Sequence, residues 1–426
     1  MIAFISDLHL SDRTCGQFHL PQEAFTGVFR DLGEHARSDG EDHLNLVLLG
    51  DIFDLIHTEF WLNVPERCQP WGEEPSEECA LRALRAVIEA NDHIFALFRA
   101  LPGQLAGAPA VTLTYLPGNH DRLCNVYPRA RRLVAEVLGL QRKDPEAPFP
   151  THFLDKTHDV FARHGHEFDP WNYEGKPPYD SAEPLAPVGD PITSLLLAKL
   201  PRLVRESLLL YRQRDPDAID LGDINRITHS FRAMFDVRPF AAFVSWLFHQ
   251  VEAIRDPAVR EIVQGCINQT VRDFVETDYF AKWKKRHPYH GFKLGGMLWI
   301  LEKLPVLALR SCRGQIGQVV RSLRSADPYR RHALRDMRRH GVRYVVYGHT
   351  HIPVQTPLLT QGNGPTRRES FYFNTGTWRP DYDETIDYGG FVGRKTLTYT
   401  LIYAPTSPGR PPTAEAWTGV LKDHRV

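Results

Sequence analysis

Five short apolar runs in this chain each end abruptly in a cluster of Asp, Asn and His. Ile2–Ser6 leads into Asp7-Leu8-His9, Leu44–Leu49 into Gly50-Asp51-Ile52-Phe53-Asp54, and Val111–Leu116 into Pro117-Gly118-Asn119-His120-Asp121. Asp159–Arg163 runs into His164-Gly165-His166, and Arg343–Tyr347 into Gly348-His349-Thr350-His351. Apolar runs this short, bounded by turn residues, read as buried strands. Between them, residues 20–36 carry Phe25, Val28, Phe29 and Leu32 at helical spacing. Residues 79–101 read as one long amphipathic helix, and 126–139 are helical again. Such alternation predicts a layered α/β fold. Ligands bind beyond the carboxyl ends of the strands in these folds, so the five clusters are placed to converge on one site.

The pattern changes in the middle. From about Pro170 to His340 strand signals nearly vanish and helical stretches dominate, and strands return at Arg343–Tyr347, Ser370–Asn374 and Thr396–Tyr403. The reading is one α/β catalytic domain, 1–168 with 341–405, interrupted by an all-helical insertion or cap, 169–340, and followed by a loose tail, 406–426. The six cysteines form no C-x-x-C pair and, in a chain of 426 residues, no disulfide framework. The apolar N-terminus runs straight into Asp7 and reads as a strand rather than a signal peptide. No apolar run is long enough to span a bilayer. A cytoplasmic, reduced setting is expected. The formal net charge of -1 exerts no overall pull on nucleic acid or anionic lipid, yet Lys282–Arg343 holds 16 Lys and Arg against three acids, Glu302, Asp327 and Asp336.

Imidazole mixed with carboxylate suits Mn, Fe, Zn or Ni rather than the all-oxygen shells of Ca and Mg. If their segments are extended, Asp7 and His9 share one side, as do His349 and His351. Taken singly, each is as readily a strand-end carboxylate or a satisfied surface histidine; five ordered clusters argue otherwise. His166 lies two residues past His164 and competes with it for the same role.

In that order the clusters spell D-x-H … G-D-x-x-D … G-N-H-D … H … G-H-x-H, and the chain resembles the calcineurin-like metallophosphoesterase superfamily over 1–168 and 341–405. The resemblance implies a layered β-sandwich flanked by helices (αββα) and two divalent metal ions, manganese first, with iron, zinc or nickel as alternatives. It assigns Asp7, His9, Asp51 and His351 to one ion and Asp51, Asn119, His164 and His349 to the other, Asp51 bridging. It makes His120 and Asp121 the catalytic pair: His120 contacts phosphate and protonates the leaving group, while Asp121, like Asp54, orients its neighbours. The implied reaction is two-metal hydrolysis, a bridging hydroxide attacking a phosphodiester, diphosphate or monoester. His166 and Arg379 are candidate substrate contacts, Arg379 standing just past Asn374-Thr375-Gly376-Thr377-Trp378.

Within the superfamily the chain looks most like the UDP-2,3-diacylglucosamine diphosphatase branch, whose helical insertion covers acyl chains. A phosphorylated small-molecule, lipid-linked or nucleotide-linked substrate is therefore expected. So is peripheral membrane contact through the insertion, where Leu294–Leu309 is either a core helix or an apolar surface flanked by cations. A nuclease-like diesterase using the basic stretch ranks lower, because few aromatics beyond Trp283, Tyr289 and Tyr329 accompany those cations. A non-catalytic metal-binding scaffold would be marked by missing ligands, and none is missing. No obligate protein partner is inferred.

Overall fold

Three apolar strands, β1 (Ile2–Ile5), β2 (His43–Leu49) and β3 (Ala110–Leu116), lie parallel and adjacent, each ending shortly before its polar cluster. This arrangement comes from a computed structural model that describes residues 1–16, 20–104, 110–176, 185–238, 242–303, 328–362, 367–387, 389–405 and 411–420. Helix α1 (Gln22–Ser38) connects the first two strands and buries the expected stripe of Phe25, Val28, Phe29 and Leu32. Each such side chain contributes about 1.5–3 kcal/mol by leaving water.

Residues 79–101 are two helices rather than one. α2 (Glu77–Ala90) starts at a Ser76 cap, and α3 (Asp92–Gln104) follows after a corner at Asn91. The Asn91 amide donates to Val87 O and to Ser11 O, both at 2.8 Å. An Asn side chain that bonds nearby backbone competes with the helix, and the second bond ties the corner to the loop after β1. Helix α4 (Pro128–Leu138) opens on proline and stops at Gly139, whose φ of 67° suits glycine.

The second sheet contains β4 (Phe153–Asp155), β5 (Val160–Ala162), β7 (Tyr344–Tyr347), β8 (Pro353–Gln361) and β9 (Arg368–Thr375), in the order β4-β5-β7-β9-β8, with β5, β7 and β9 parallel. The first sheet is completed by β6 (Val237–Arg238), β10 (Pro380–Glu384), β11 (Phe391–Tyr403) and β12 (Thr413–Val420). Its order is β3-β2-β1-β11-β10-β6, with β12 paired to β11. Ile2, Phe4, Val47, Leu49 and Leu116 of the first sheet meet Val160, Ala162, Tyr344, Val346 and Phe373 of the second, so the sheets pack face to face. Helices α1 to α4 cover the outer face of the first sheet. Helix α11 (Pro328–His340) sets Ala333 and Met337 against Phe161, Val345 and Tyr372 on the second.

Two boundaries differ from expectation. The insertion is not all helical: β6 pairs parallel with β10, Val237 opposite Tyr382 and Arg238 opposite Asp383. Nor is it separate. One apolar cluster runs from the first sheet into α5 (Lys199–Arg214), α6 (Leu221–Arg232), α7 (Phe243–Ala253), α8 (Pro257–Val275), α9 (Asp278–Arg286) and α10 (Pro288–Lys303). The tail is not loose throughout either, because Thr413–Val420 forms an antiparallel ladder along β11. Its backbone hydrogen bonds do what its weak apolar pattern did not announce.

Within Leu294–Leu309, Leu294, Leu298 and Leu301 are buried, while residues 304–309, like the rest of the basic stretch to 327, lie outside the described residues. Residues 406–410 and 421–426 of the tail lie outside them too. Among the described residues Cys15, Cys68, Cys79, Cys124 and Cys266 are free thiols, and no helix is long and apolar enough to cross a membrane.

Candidate metal centre

The five loops meet at one edge of the paired sheets, but not as extended segments. Asp7, His9, Asp51, His349 and His351 all have φ between 46° and 70°. The left-handed region is uncommon for non-glycine residues and costs roughly 1–2 kcal/mol each. The expected strand alternation of Asp7 with His9 and of His349 with His351 therefore fails; turned backbone brings them together instead. Cross-loop hydrogen bonds hold the turns, Asp7 N donating to Gly50 O (3.0 Å) and His9 N to Asp51 O (2.9 Å). His349 N donates to Asp7 Oδ2 (3.0 Å), and Asn374 Nδ2 to Gly348 O (2.7 Å). Such strain persists only where the surrounding structure over-determines it, and here it falls on the candidate ligands.

Three overlapping groups of side chains result, the third being His9, Asp54 and His120. In the first, His9 Nε2 stands 3.0 Å from His351 Nε2, and His351 Nε2 stands 3.3 Å from Asp7 Oδ1. In the second, His164 Nε2 stands 3.2 Å from Asp51 Oδ2, and His349 completes the set. Each group can hold a metal ion. Asp51 Oδ2 is also 3.7 Å from His9 Nε2, which places that carboxylate between them. Gly118 makes this approach feasible, since a Cβ there would strike the Asp51 carboxylate and the His164 ring. Asn119 follows directly, with its side-chain carbonyl buried.

The hydrogen-bond inventory fits cations. Asp7 Oδ1 and Asn119 Oδ1 are buried without a hydrogen bond, and His164 Nε2 has only the Asp51 carboxylate, at 3.2 Å. Orphaned buried acceptors cost about 1–3 kcal/mol each unless a ligand completes them. Meanwhile the opposite ring nitrogens are engaged: His9 Nδ1 with Asp54 Oδ2 (3.1 Å), His164 Nδ1 with Leu49 O (2.8 Å) and His349 Nε2 with Asp169 Oδ2 (3.2 Å). An imidazole whose far nitrogen donates to carboxylate or carbonyl presents the other as a lone pair.

Charge follows from this crowding. Burial opposes ionisation of Asp51, yet His164 and His120 hold it well below the carboxylate range. Burial, with Asp51 nearby, keeps Asp7 above that range despite His164. His164 is itself raised to about 10, burial being outweighed by Asp51 and Asp7. Without a cation these groups share protons; with one, His164 must give its proton up.

His120 lies beside the first group. Its backbone N–H donates to Asp51 Oδ1 (2.8 Å) and its Nδ1 meets Asp54 Oδ1 (2.9 Å). Burial pulls its pKa down, but Asp54 and Asp51 raise it to about 9. Asp54 thus holds His9 with one oxygen and His120 with the other. Asp121 lies outside the three grouped sets of side chains. Fully buried, it accepts from Gly118 N and Ile52 N, bolting two ligand loops together, and burial raises it to about 6.

His166 is buried beside the second group, its ring 5.3 Å from His164 and 6.3 Å from His349. It is His164, not His166, that faces Asp51. Arg379 is a correction: Asp236 grips its Nε and Nη2 at 2.8 and 3.1 Å in a buried pair, so it braces structure rather than awaiting substrate.

Sequence reasoning missed the insertion's own contribution. Phe235 stacks on His57 with ring centroids 3.9 Å apart and lies 5.6 Å from both His9 and His120. Arg238 Nη2 reaches His351 Nδ1 at 2.6 Å. Asp190 pairs with Arg122 at 2.9 Å, and Ser194 donates to Ile56 O at 2.7 Å, fixing the insertion to the loops below. No motif surrounds these residues, so nothing short of the fold reveals them. No protein-family model matches the chain, and no curated protein matches it significantly.

Proposed function

We propose that the chain is a dinuclear metal-dependent phosphoester hydrolase of the calcineurin-like kind, with Asp7, His9, Asp51 and His351 holding one ion and Asp51, Asn119, His164 and His349 the other. The observation that carries this reading is the position of Asp51, one carboxylate oxygen lying 3.7 Å from His9 Nε2 and 3.2 Å from His164 Nε2. The donor set suits manganese, with iron, zinc or nickel as alternatives. Paired ions of this type supply a nucleophilic water acidified to about neutral pH and neutralise the phosphate charge.

The chain's residues account for the rest. His120, held by Asp54, keeps a proton for the leaving oxygen, and its Nε2 has no hydrogen-bond partner among the described residues. Phe235 walls the His120 side with apolar surface and excludes water there. The stacking of four layers, helix–sheet–sheet–helix, agrees with the αββα architecture of that superfamily. A diphosphate linked to lipid or nucleotide is the substrate class this reading favours. Exposed Tyr289 and Phe292 on α10, next to Lys284, Lys285 and Arg286, support peripheral contact with an anionic bilayer.

The test is hydrolysis by manganese-loaded protein of p-nitrophenyl phosphate, bis(p-nitrophenyl) phosphate and acylated and unacylated nucleotide-sugar diphosphates. Chelator-sensitive cleavage of at least one is expected. Stoichiometric metal with no cleavage of any would turn the reading to a metal-binding scaffold.

A further inference from the structure

With Arg379 tied to Asp236, a different arginine, Arg238, stands at the cluster with no ion-paired carboxylate among the described residues. Asp236, just before the short strand β6, and Arg238, within it, have opposite roles: one grips Arg379, the other reaches the ligand cluster. Arg238 Nη1 donates to the carbonyls of Phe235 (2.7 Å) and Val237 (3.0 Å), which fixes the guanidinium plane. Its Nη2 lies 2.6 Å from His351 Nδ1 and 3.4 Å from Nε2. Among the described residues no carboxylate forms an ion pair with it. Its backbone is held in the sheet opposite Asp383, so the group is presented from a rigid strand rather than a loop.

A half-buried guanidinium that no carboxylate grips, with Asp236, Asp381 and Asp7 acting on it only at longer range, is matched to an incoming anion. It is poorly suited to bracing His351. If His351 offers Nε2 to a cation, its Nδ1 carries the proton, and two N–H groups facing each other do not hydrogen-bond. The planar fork instead fits two oxygens of a phosphoryl group.

We infer that Arg238 is the phosphate anchor contributed by the insertion, binding the non-bridging oxygens of the substrate's phosphoryl group. The inference rests on the phosphoester-hydrolase reading. It also makes the insertion part of the active site rather than a cover placed over it.

The test is calorimetric binding of inorganic phosphate to full-length, manganese-loaded protein. Arg238→Ala is expected to weaken binding by about tenfold or more, with manganese content and melting temperature unchanged. Arg238→Lys should restore part of the loss, since it returns the charge without the fork. Unchanged phosphate affinity in Arg238→Ala overturns the inference, and so does a wild-type protein that binds no phosphate. Loss of manganese in Arg238→Ala overturns it too, because it would make Arg238 a support for His351. Arg238-dependent phosphate binding in a protein that cleaves no ester would leave the anchor standing and remove the hydrolase reading alone.

Discussion

At the scale of the residue, Asp54 has the most consequential position among those that touch no cation. One of its oxygens orients His9 and the other His120, so under the proposed hydrolysis it would couple ligand geometry to the leaving-group proton. Two substitutions separate these roles. His120→Ala should lower turnover by about 10²–10⁴-fold, the usual worth of a positioned acid, while metal analysis finds the ions retained. Asp54→Asn removes the anion that holds His120 up. Because the protonated ring is the active form, activity is lost as pH rises through the His120 pKa. A lowered pKa therefore moves the alkaline limb of the kcat profile down, by roughly one unit or more. An unmoved limb would show that another group supplies the proton. The candidate metal ligands were legible because each sits in a short motif. Asp169, Phe235 and Arg238 were not, since their partners are remote in sequence.

At the scale of the element, strands that are apolar runs could be read and strands of polar or proline-bearing sequence could not. β1, β2 and β7 are apolar runs largely enclosed in the sandwich, and β3, at the end of its sheet, still buries Tyr115 and Leu116. β8, with Pro353 and Pro357, and β10, with Asp381 and Asp383, owe their state to pairing with neighbours rather than to a pattern of their own. The long helix over 79–101 was misjudged for a related reason: Asn91 looks tolerable in a helix until Ser11 offers it a partner. Asn91→Ala should leave both helices formed yet cost about 1–3 kcal/mol, since Ser11 O loses its donor in a buried corner. Thermal melting measures it. Asp236→Ala should cost more, about 3–5 kcal/mol, because it strands the buried Arg379. A loss below about 1 kcal/mol would mean that Arg379 finds solvent or another anion.

At the scale of the whole molecule, loops at the ends of the two sheets bring the candidate ligands together, and the insertion sets Phe235 and Arg238 beside them. Loading with metal should then act on the entire structure. Ions that bind only the folded chain raise its stability by about 2.7 kcal/mol at a hundredfold excess over Kd. Because His164 is held protonated and must release that proton, manganese affinity should rise with pH across the neutral range, with proton uptake by the buffer detectable by calorimetry. A pH-independent affinity would place the second ion elsewhere. The central claim is the Asp51-bridged pair, and anomalous diffraction from manganese-loaded crystals tests it most directly. The account predicts two peaks about 3.5–4 Å apart, one against Asp7, His9 and His351, the other against Asn119, His164 and His349, with Asp51 touching both. A single peak, or an ion seated among His9, Asp54 and His120, would contradict it.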